Sequence, residues 1–209
     1  MVVRRTERRQ AVSDHKRGLI LEAAREVFAA EGLEGASLRA IATRAGYTPA
    51  ALYFHFDSKE AIYAEVLQGS LAALGRHVAE AVAKARSAEA KLRAAALAFF
   101  RFYAEHPRDL DLGFYLFRGG MKPNGLGRER DGALNQSLED ALRPIADAAQ
   151  ALGATRREAE LLMVDTFAHA TGLLLLLHTG RIRMFDVSAN ERMKGYIDER
   201  VDQLTQRKT

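Results

Sequence analysis

Tyr53, His55 and Lys59 place a phenol, an imidazole and an ammonium within one short stretch of chain. What these groups share is the capacity to donate hydrogen bonds to an anion. Leu52 and Phe56 lie four residues apart, so on a helical path they share a face and are expected to bury against a preceding helix. Tyr53 and His55 then point outward, with donors for phosphate oxygens. Lys59 adds a cation at the start of the next helix, where unpaired backbone N–H groups also favour an anion. Together the three read as a clamp on a phosphate backbone. Plainer roles stay open for each: Tyr53 and Phe54 as packed core aromatics, His55 as a surface or capped histidine, Lys59 as a solvated charge.

Other chemistries find little support. The chain has no glycine-rich phosphate loop and no G-x-S-x-G elbow, so no enzyme is expected. It has no cysteine, which excludes disulfides and cysteine-ligated zinc and fits a reducing cytoplasm. Asp165 and His169 lie four apart on one helical face, an arrangement that suits a core or interface hydrogen bond better than a metal. No metal and no cofactor is expected. A structural dimerisation module would have no use for the clamp at 53–59, and the remaining rival is a helical enzyme or ligand-binding protein without DNA function.

The elements that would position these residues follow from apolar spacing. Leu19, Ile20, Ala23, Ala24, Val27 and Phe28 recur at three- and four-residue steps, predicting an amphipathic helix over about 13–31 that ends at Gly32. Ser37 caps a short second helix carrying Leu38, Ile41, Ala42 and Ala45, and Gly46 breaks it. Thr48 caps a third with Pro49 at its first position, where a missing N–H costs nothing. Asp57 or Ser58 caps a fourth, whose buried stripe is Ile62, Val66, Leu67, Leu71 and Leu74; Glu60 completes a capping box if Asp57 is the cap. No alternating strand pattern follows. Breaks fall near Ser87, His106-Pro107, Gly119-Gly120, 123–127, Gly153 and Gly180, and the stretch 122–132 reads as a long mobile loop. Three long helices over about 134–152, 156–178 and 187–206 complete an all-α chain of about nine helices.

With 209 residues, 48% of them hydrophobic and 28% charged, the chain has the composition of an ordinary globular protein of one or two domains. The net charge of +4 permits a polyanionic partner, and the basic excess sits at the front, where six Arg or Lys stand against Glu7 and Asp14 in the first 17 residues. Residues 1–14 are expected to form a basic, disordered arm, either solvated or in contact with DNA. Arg4, Arg5, Arg8 and Arg9 have no apolar stretch behind them, so no signal peptide is expected. The leucine-rich apolar run 172–177 closes at His178 and Arg181, too short for a bilayer span.

Two short helices joined by a glycine turn and packed on a longer one form a helix-turn-helix, whose second helix fits a major groove. Residues 32–67, GLEGASLRAIATRAGYTPAALYFHFDSKEAIYAEVL, closely resemble the signature of the tetracycline-repressor (TetR) family, the LYFHF block followed by Ser58-Lys59-Glu60 being its most diagnostic part. The resemblance implies a helix-turn-helix domain over 15–60 and a larger helical ligand-binding and dimerisation domain over 61–209. It implies that Tyr53 and Lys59 hold the DNA backbone, that Arg39, Tyr47, Thr48, Pro49, Ala50, Ala51 and Phe54 face the groove, and that Ser37 touches a phosphate. The expected function is that of a cytoplasmic homodimeric repressor, released from a palindromic operator by a small molecule; activation in place of repression stays open.

Phe99, Phe100, Phe102, Tyr103, Phe114, Tyr115 and Phe117 crowd into one short stretch of a chain with 10 Phe and 6 Tyr. Such density suits either a tight helical core or an apolar cavity for an aromatic or acyl ligand. The resemblance favours the cavity, with Met163, Phe167, His169 and Leu173 facing it from a later helix and His169 as a polar anchor or a satisfied core histidine. Ala168, Thr171 and Gly172 would let two helices approach closely, so the last two long helices are expected to pair across a two-fold axis.

Overall fold

A computed structural model describes residues 2–114 and 125–206, with side chains from residue 7 on except that of Arg9. Its described residues form helices joined by short turns, with no strand. Contacts divide the chain into two compact units, the first joining 1–69 to 110–134 and the second joining 70–109 to 135–209. The first unit therefore takes in more than the expected 15–60 segment.

In the first unit, α1 (Val2–Gly35), α2 (Leu38–Ala45), α3 (Pro49–Tyr53) and the start of α4 (Lys59–Ala83) enclose an apolar core. Residues 2–14 continue α1 where a disordered arm was expected: no glycine or proline precedes Gly18, and Arg, Glu, Gln and Ala are all good helix formers. The helical path breaks at Gly32, whose φ of 71° is open to glycine at little cost, and one further turn reaches Gly35. Ile20, Ala24, Phe28, Ile41, Leu52 and Ile62 are essentially inaccessible to solvent. Burying each of the larger side chains contributes about 1.5–3 kcal/mol. Leu19 alone of the expected α1 stripe is exposed. The rings of Phe28 and Tyr63 meet edge to face at 4.8 Å, and the Tyr63 hydroxyl donates to the Leu112 carbonyl at 2.9 Å.

The second unit is built on the rest of α4, α5 (Ala88–Glu105), most of α7 (Arg128–Ala151), α8 (Arg156–His178) and α9 (Ala189–Gln206), with a 3-10 turn over Arg181–Phe185; α4, α6 (Pro107–Gly113) and α7 each have residues in both units. Ser87 caps α5 by accepting from the Ala90 N–H at 3.2 Å. Thr155 and Glu158 form a reciprocal capping box at the start of α8, satisfying two otherwise free N–H groups. α7 starts at Arg128, so residues 128–132 of the loop expected over 122–132 are helical; its residues 122–124 lie outside the described ones. α8 packs on α5 and α9, and Arg93 of α5 donates to Asp198 of α9 at 2.6 Å. Taken as a whole helix, α8 is long and apolar enough to cross a membrane, which its short uninterrupted runs did not reveal. Its buried side chains Ala159, Met163, Thr166, Ala170, Leu173 and Leu174 form a one-sided stripe, as in a packing helix.

Candidate nucleic-acid interface

Local sequence sets the frame of the site. Ser37 Oγ accepts from the Ala40 N–H at 3.1 Å, starting α2, and keeps its own hydroxyl proton to donate. Gly46, at φ 74°, closes α2 in the left-handed region that favours glycine, and the Tyr47 N–H donates back to the Ala42 carbonyl at 2.9 Å. Thr48 Oγ1 accepts from Ala51 N–H at 3.3 Å with Pro49 next to it, starting α3 at once. At the start of α4 it is Ser58, of the two candidates, whose hydroxyl caps, accepting from Ala61 N–H at 3.1 Å.

A five-residue helix does not hold itself together in water. α3 is held from beneath, by Leu52 and Phe56, both buried as their spacing predicts. Its other side chains turn out: Tyr53 is 60% exposed and Phe54 87%, so neither is a core aromatic. Ser37, Arg39, Thr48, Pro49 and Ala50 are exposed as well, while Tyr47, Ala51 and His55 are half-buried. The structure brings Tyr47, Ala51, Phe54 and His55 to one groove, whose other wall is Val12, Ser13 and Lys16 of α1. Ser37 and Arg39 line a second groove with Glu26 and Arg44, which form an ion pair between α1 and α2.

Lys59 stands at the first position of α4, the helix start at which a cation was expected. Its ammonium donates to the carbonyls of Leu33, Glu34 and Ala36, at 2.9, 3.3 and 3.3 Å. Three donors meet three carbonyls at the end of α1, where helix carbonyls lack partners and the backbone dipole attracts a cation. The side chain that was expected to grip phosphate ties the start of α4 to the end of α1. A second cation, Arg17, plays a comparable part without having been singled out: it bonds Glu65 and the carbonyl of His55 and lies over the Phe56 ring. Nothing in the local pattern marks it apart from its charge on the polar side of an amphipathic helix.

The residues expected around a ligand fall into several settings. Phe99, Phe102 and Tyr103 are buried and touch one another edge to face, with centroids 5.3 Å apart for Phe99–Tyr103 and for Phe102–Tyr103. Phe167 meets Phe99 at 5.8 Å, and Met163 and Leu173 are buried. These rings pack on one another, the arrangement that their quadrupoles favour in a closed core. Phe114 is half-buried in the first unit; Tyr115 and Phe117 lie outside the described residues. His169 stacks on Tyr196 at 4.1 Å. Burial, and then the charge of Arg192, lower its pKa from the ordinary histidine value, partly opposed by a hydrogen bond to the Arg192 backbone. Burial, with Asp109 nearby, pushes the Tyr103 phenol up.

A capped α2, a glycine turn and a short α3 braced on α1 define a helix-turn-helix protein. Residues 20–66 match the model of the family described as bacterial regulatory proteins, tetR family. The transcriptional repressor NicS of Pseudomonas putida is 30% identical over 157 residues, covering 75% of this chain and 73% of NicS. The transcriptional activator FasR of Mycolicibacterium smegmatis is 42% identical over 89 residues, covering 43% of this chain and only 41% of FasR. Among solved structures, a protein of unknown function from Rhodococcus sp. RHA1 has a TM-score of 0.72 at 24% identity, over 91% of this chain and 95% of that one. FadR from Bacillus subtilis, solved in complex with stearoyl-CoA, has a TM-score of 0.65 at 17% identity, over 90% and 96%; at these identities the likeness is one of fold. The chain belongs to the TetR family of bacterial transcription regulators, DNA-binding proteins and not enzymes.

Proposed function

We propose that the protein is a ligand-responsive repressor that binds a palindromic operator as a homodimer and leaves it when a small apolar or aromatic molecule occupies the second unit. The observation that carries the DNA half is the outward face of α3, where Tyr53 and Phe54 stand in solvent on a helix locked from below by Leu52 and Phe56. Tyr53, Thr48 and Ser37 supply hydroxyl donors for phosphates and His55 an imidazole. Pro49, Ala50 and Ala51 have no hydrogen-bonding side chains, so base reading falls to thymine-methyl contacts, to Arg39 on a guanine and to DNA shape.

Pairing is assigned to α8 and α9. On α8, Leu161, Val164 and Leu175 are exposed together with Ala168 and Gly172, at the spacing of one helical face. Small residues amid aliphatic ones suit close approach of a second helix. Reading two half-sites of a palindrome requires the two α3 helices of such a dimer about 34 Å apart, one DNA turn. NicS, matched over most of its length, is a repressor, which favours that sign of regulation. FadR's stearoyl-CoA makes an acyl compound a reasonable effector to test. Because Phe99 and Phe167 touch, such a molecule would have to part them, and only one with different affinities for the two states shifts the equilibrium. A coupling of about 1–3 kcal/mol is typical of such regulators. The DNA target sets the site of action in the bacterial cytoplasm.

The test is a mobility shift with DNA flanking the protein's own gene. Sequence-selective binding in roughly the nanomolar range is expected. Equal affinity for unrelated duplexes, or no binding, rejects the proposal.

A further inference from the structure

Arg17 of α1 makes four contacts with one guanidinium. Nε donates to Glu65 Oε2 at 3.1 Å and Nη2 donates to Glu65 Oε1, so the pair is bidentate. Nη1 donates to the His55 carbonyl at 2.9 Å, and the guanidinium carbon lies 4.4 Å from the Phe56 ring centroid. Three segments distant in sequence meet at this side chain: α1, the turn that closes α3, and α4. A planar fork committed on both edges and on one face is fixed in direction, which an ammonium on a flexible stem cannot match. His55 directly follows Tyr53 and Phe54. The N–H groups of His55 and Phe56 close the end of α3 on the Leu52 carbonyl, at 2.8 and 2.9 Å.

We infer that Arg17 and Glu65 are positioning residues for DNA reading, tying α1 and α4 to the C-terminal end of α3 so that Tyr53 and Phe54 are held in place through the His55 carbonyl. The inference rests on the assignment of α3 as the DNA-facing helix. A half-exposed ion pair by itself contributes little to stability. The importance of this one lies in what it holds in place, since the guanidinium that Glu65 orients also holds the His55 carbonyl at the end of α3.

Glu65→Gln separates positioning from charge by the sign of its effect. Removing a negative charge from a protein that binds a polyanion should, on charge alone, tighten binding. Loss of positioning weakens it. Affinity is measured by fluorescence anisotropy across a salt series, on a duplex enriched from a random pool by the wild-type protein. Glu65→Gln is expected to raise Kd about 3- to 30-fold with the salt slope unchanged, because no phosphate contact is lost. Arg17→Lys keeps the charge and is expected to weaken binding similarly. The double variant Arg17→Met with Glu65→Gln should bind no worse than Arg17→Met alone, as for two residues acting as a unit. Hydrogen exchange adds a readout without DNA: the His55 and Phe56 amides should exchange faster in Glu65→Gln while that of Ile41 does not. Unchanged or tighter binding by Glu65→Gln overturns the inference and leaves the assignment of α3 standing. If that variant does not fold, wild-type affinity in Arg17→Lys overturns it. A wild-type protein that enriches no duplex overturns the assignment of α3 and this inference with it.

Discussion

α3 and α8 both leave large apolar side chains in water, yet they do so in different ways. α3 is a single short turn of five residues, capped at Thr48 and held by Leu52, and what it exposes is a pair of aromatics with hydroxyl, imidazole and guanidinium groups nearby in sequence. α8 has 23 residues with its own capping box, and what it exposes is an aliphatic stripe through Leu161, Val164 and Leu175, interspersed with small residues. Exposure alone thus says little about a partner. Aromatics beside donors suit a groove edged with phosphates, whereas a long aliphatic stripe is complementary to another helix.

The largest effect should come from placing a charge in that stripe. Val164 is 56% exposed, so Val164→Glu can be accommodated by the folded subunit. Facing its own copy across a two-fold axis, the carboxylate would be desolvated next to a like charge. Light scattering should show a monomer with its helical circular dichroism retained. Operator affinity should fall by about a hundredfold or more, because the second half-site no longer benefits from linkage to the first. A Val164→Glu protein that remains dimeric would remove pairing from this face of α8.

The two sides of α3 should respond in opposite ways. Leu52→Ala leaves a cavity under the helix and is expected to cost about 2–5 kcal/mol of stability, read as a lowered midpoint in urea. Tyr53→Phe removes only an exposed hydroxyl, so the urea midpoint should hold while affinity for every duplex drops by about 1 kcal/mol, the size of one hydrogen bond. Should Tyr53→Phe shift the urea midpoint instead, Tyr53 belongs with Leu52 as a structural residue.

The same contrast explains how much could be read from sequence. The caps at Ser37 and Thr48 and the breaks at Gly32, Gly46 and near Ser87 are interactions across three or four residues, so local spacing reveals them, while at 57–58 it left two candidates of which Ser58 caps. The buried stripe of α4 was legible for the same reason, and α8 was expected at the bounds it has. Lys59 and Arg17 were not legible, because their partners lie 23 to 48 residues away and a basic residue beside a DNA-reading helix is equally suited to phosphate or to carbonyl. The start of α1 was missed because residues 2–14 lack apolar periodicity even though nothing in them breaks a helix. For Phe99, Phe102 and Tyr103 composition is silent on packing, since the same rings line a cavity or fill it.

Lys59 gives the next test of the contrast, between holding a helix and holding DNA. Lys59→Met should lower stability by about 1–3 kcal/mol through the loss of charged hydrogen bonds to the end of α1. The salt dependence of DNA binding should stay that of the wild type. Arg39→Met, at an exposed site, should instead lower the salt slope by roughly one unit with little change in stability. A one-unit loss in Lys59→Met would mean that its ammonium leaves the α1 carbonyls for a phosphate in the complex, and the distinction between bracing and contacting residues would fail there.

The smallest expected effect lies in the seam between α8 and α9, away from the exposed stripe. His169 stacks on Tyr196 with Arg192, Arg200 and Glu199 as its charged neighbours, and burial followed by the Arg192 charge lowers its pKa. A base with a lowered pKa stays neutral in the folded chain while the unfolded chain still titrates near 6.5. As pH falls below that value the unfolded state takes up the proton first, so stability declines until the folded pKa is reached and then levels off; above about pH 6.5 this histidine adds no pH dependence. His169→Gln removes the titrating group from the seam. Between about pH 7.5 and 5.5 the wild type should therefore lose more thermal stability than the variant, and equal losses in the two would show that the seam is indifferent to this proton.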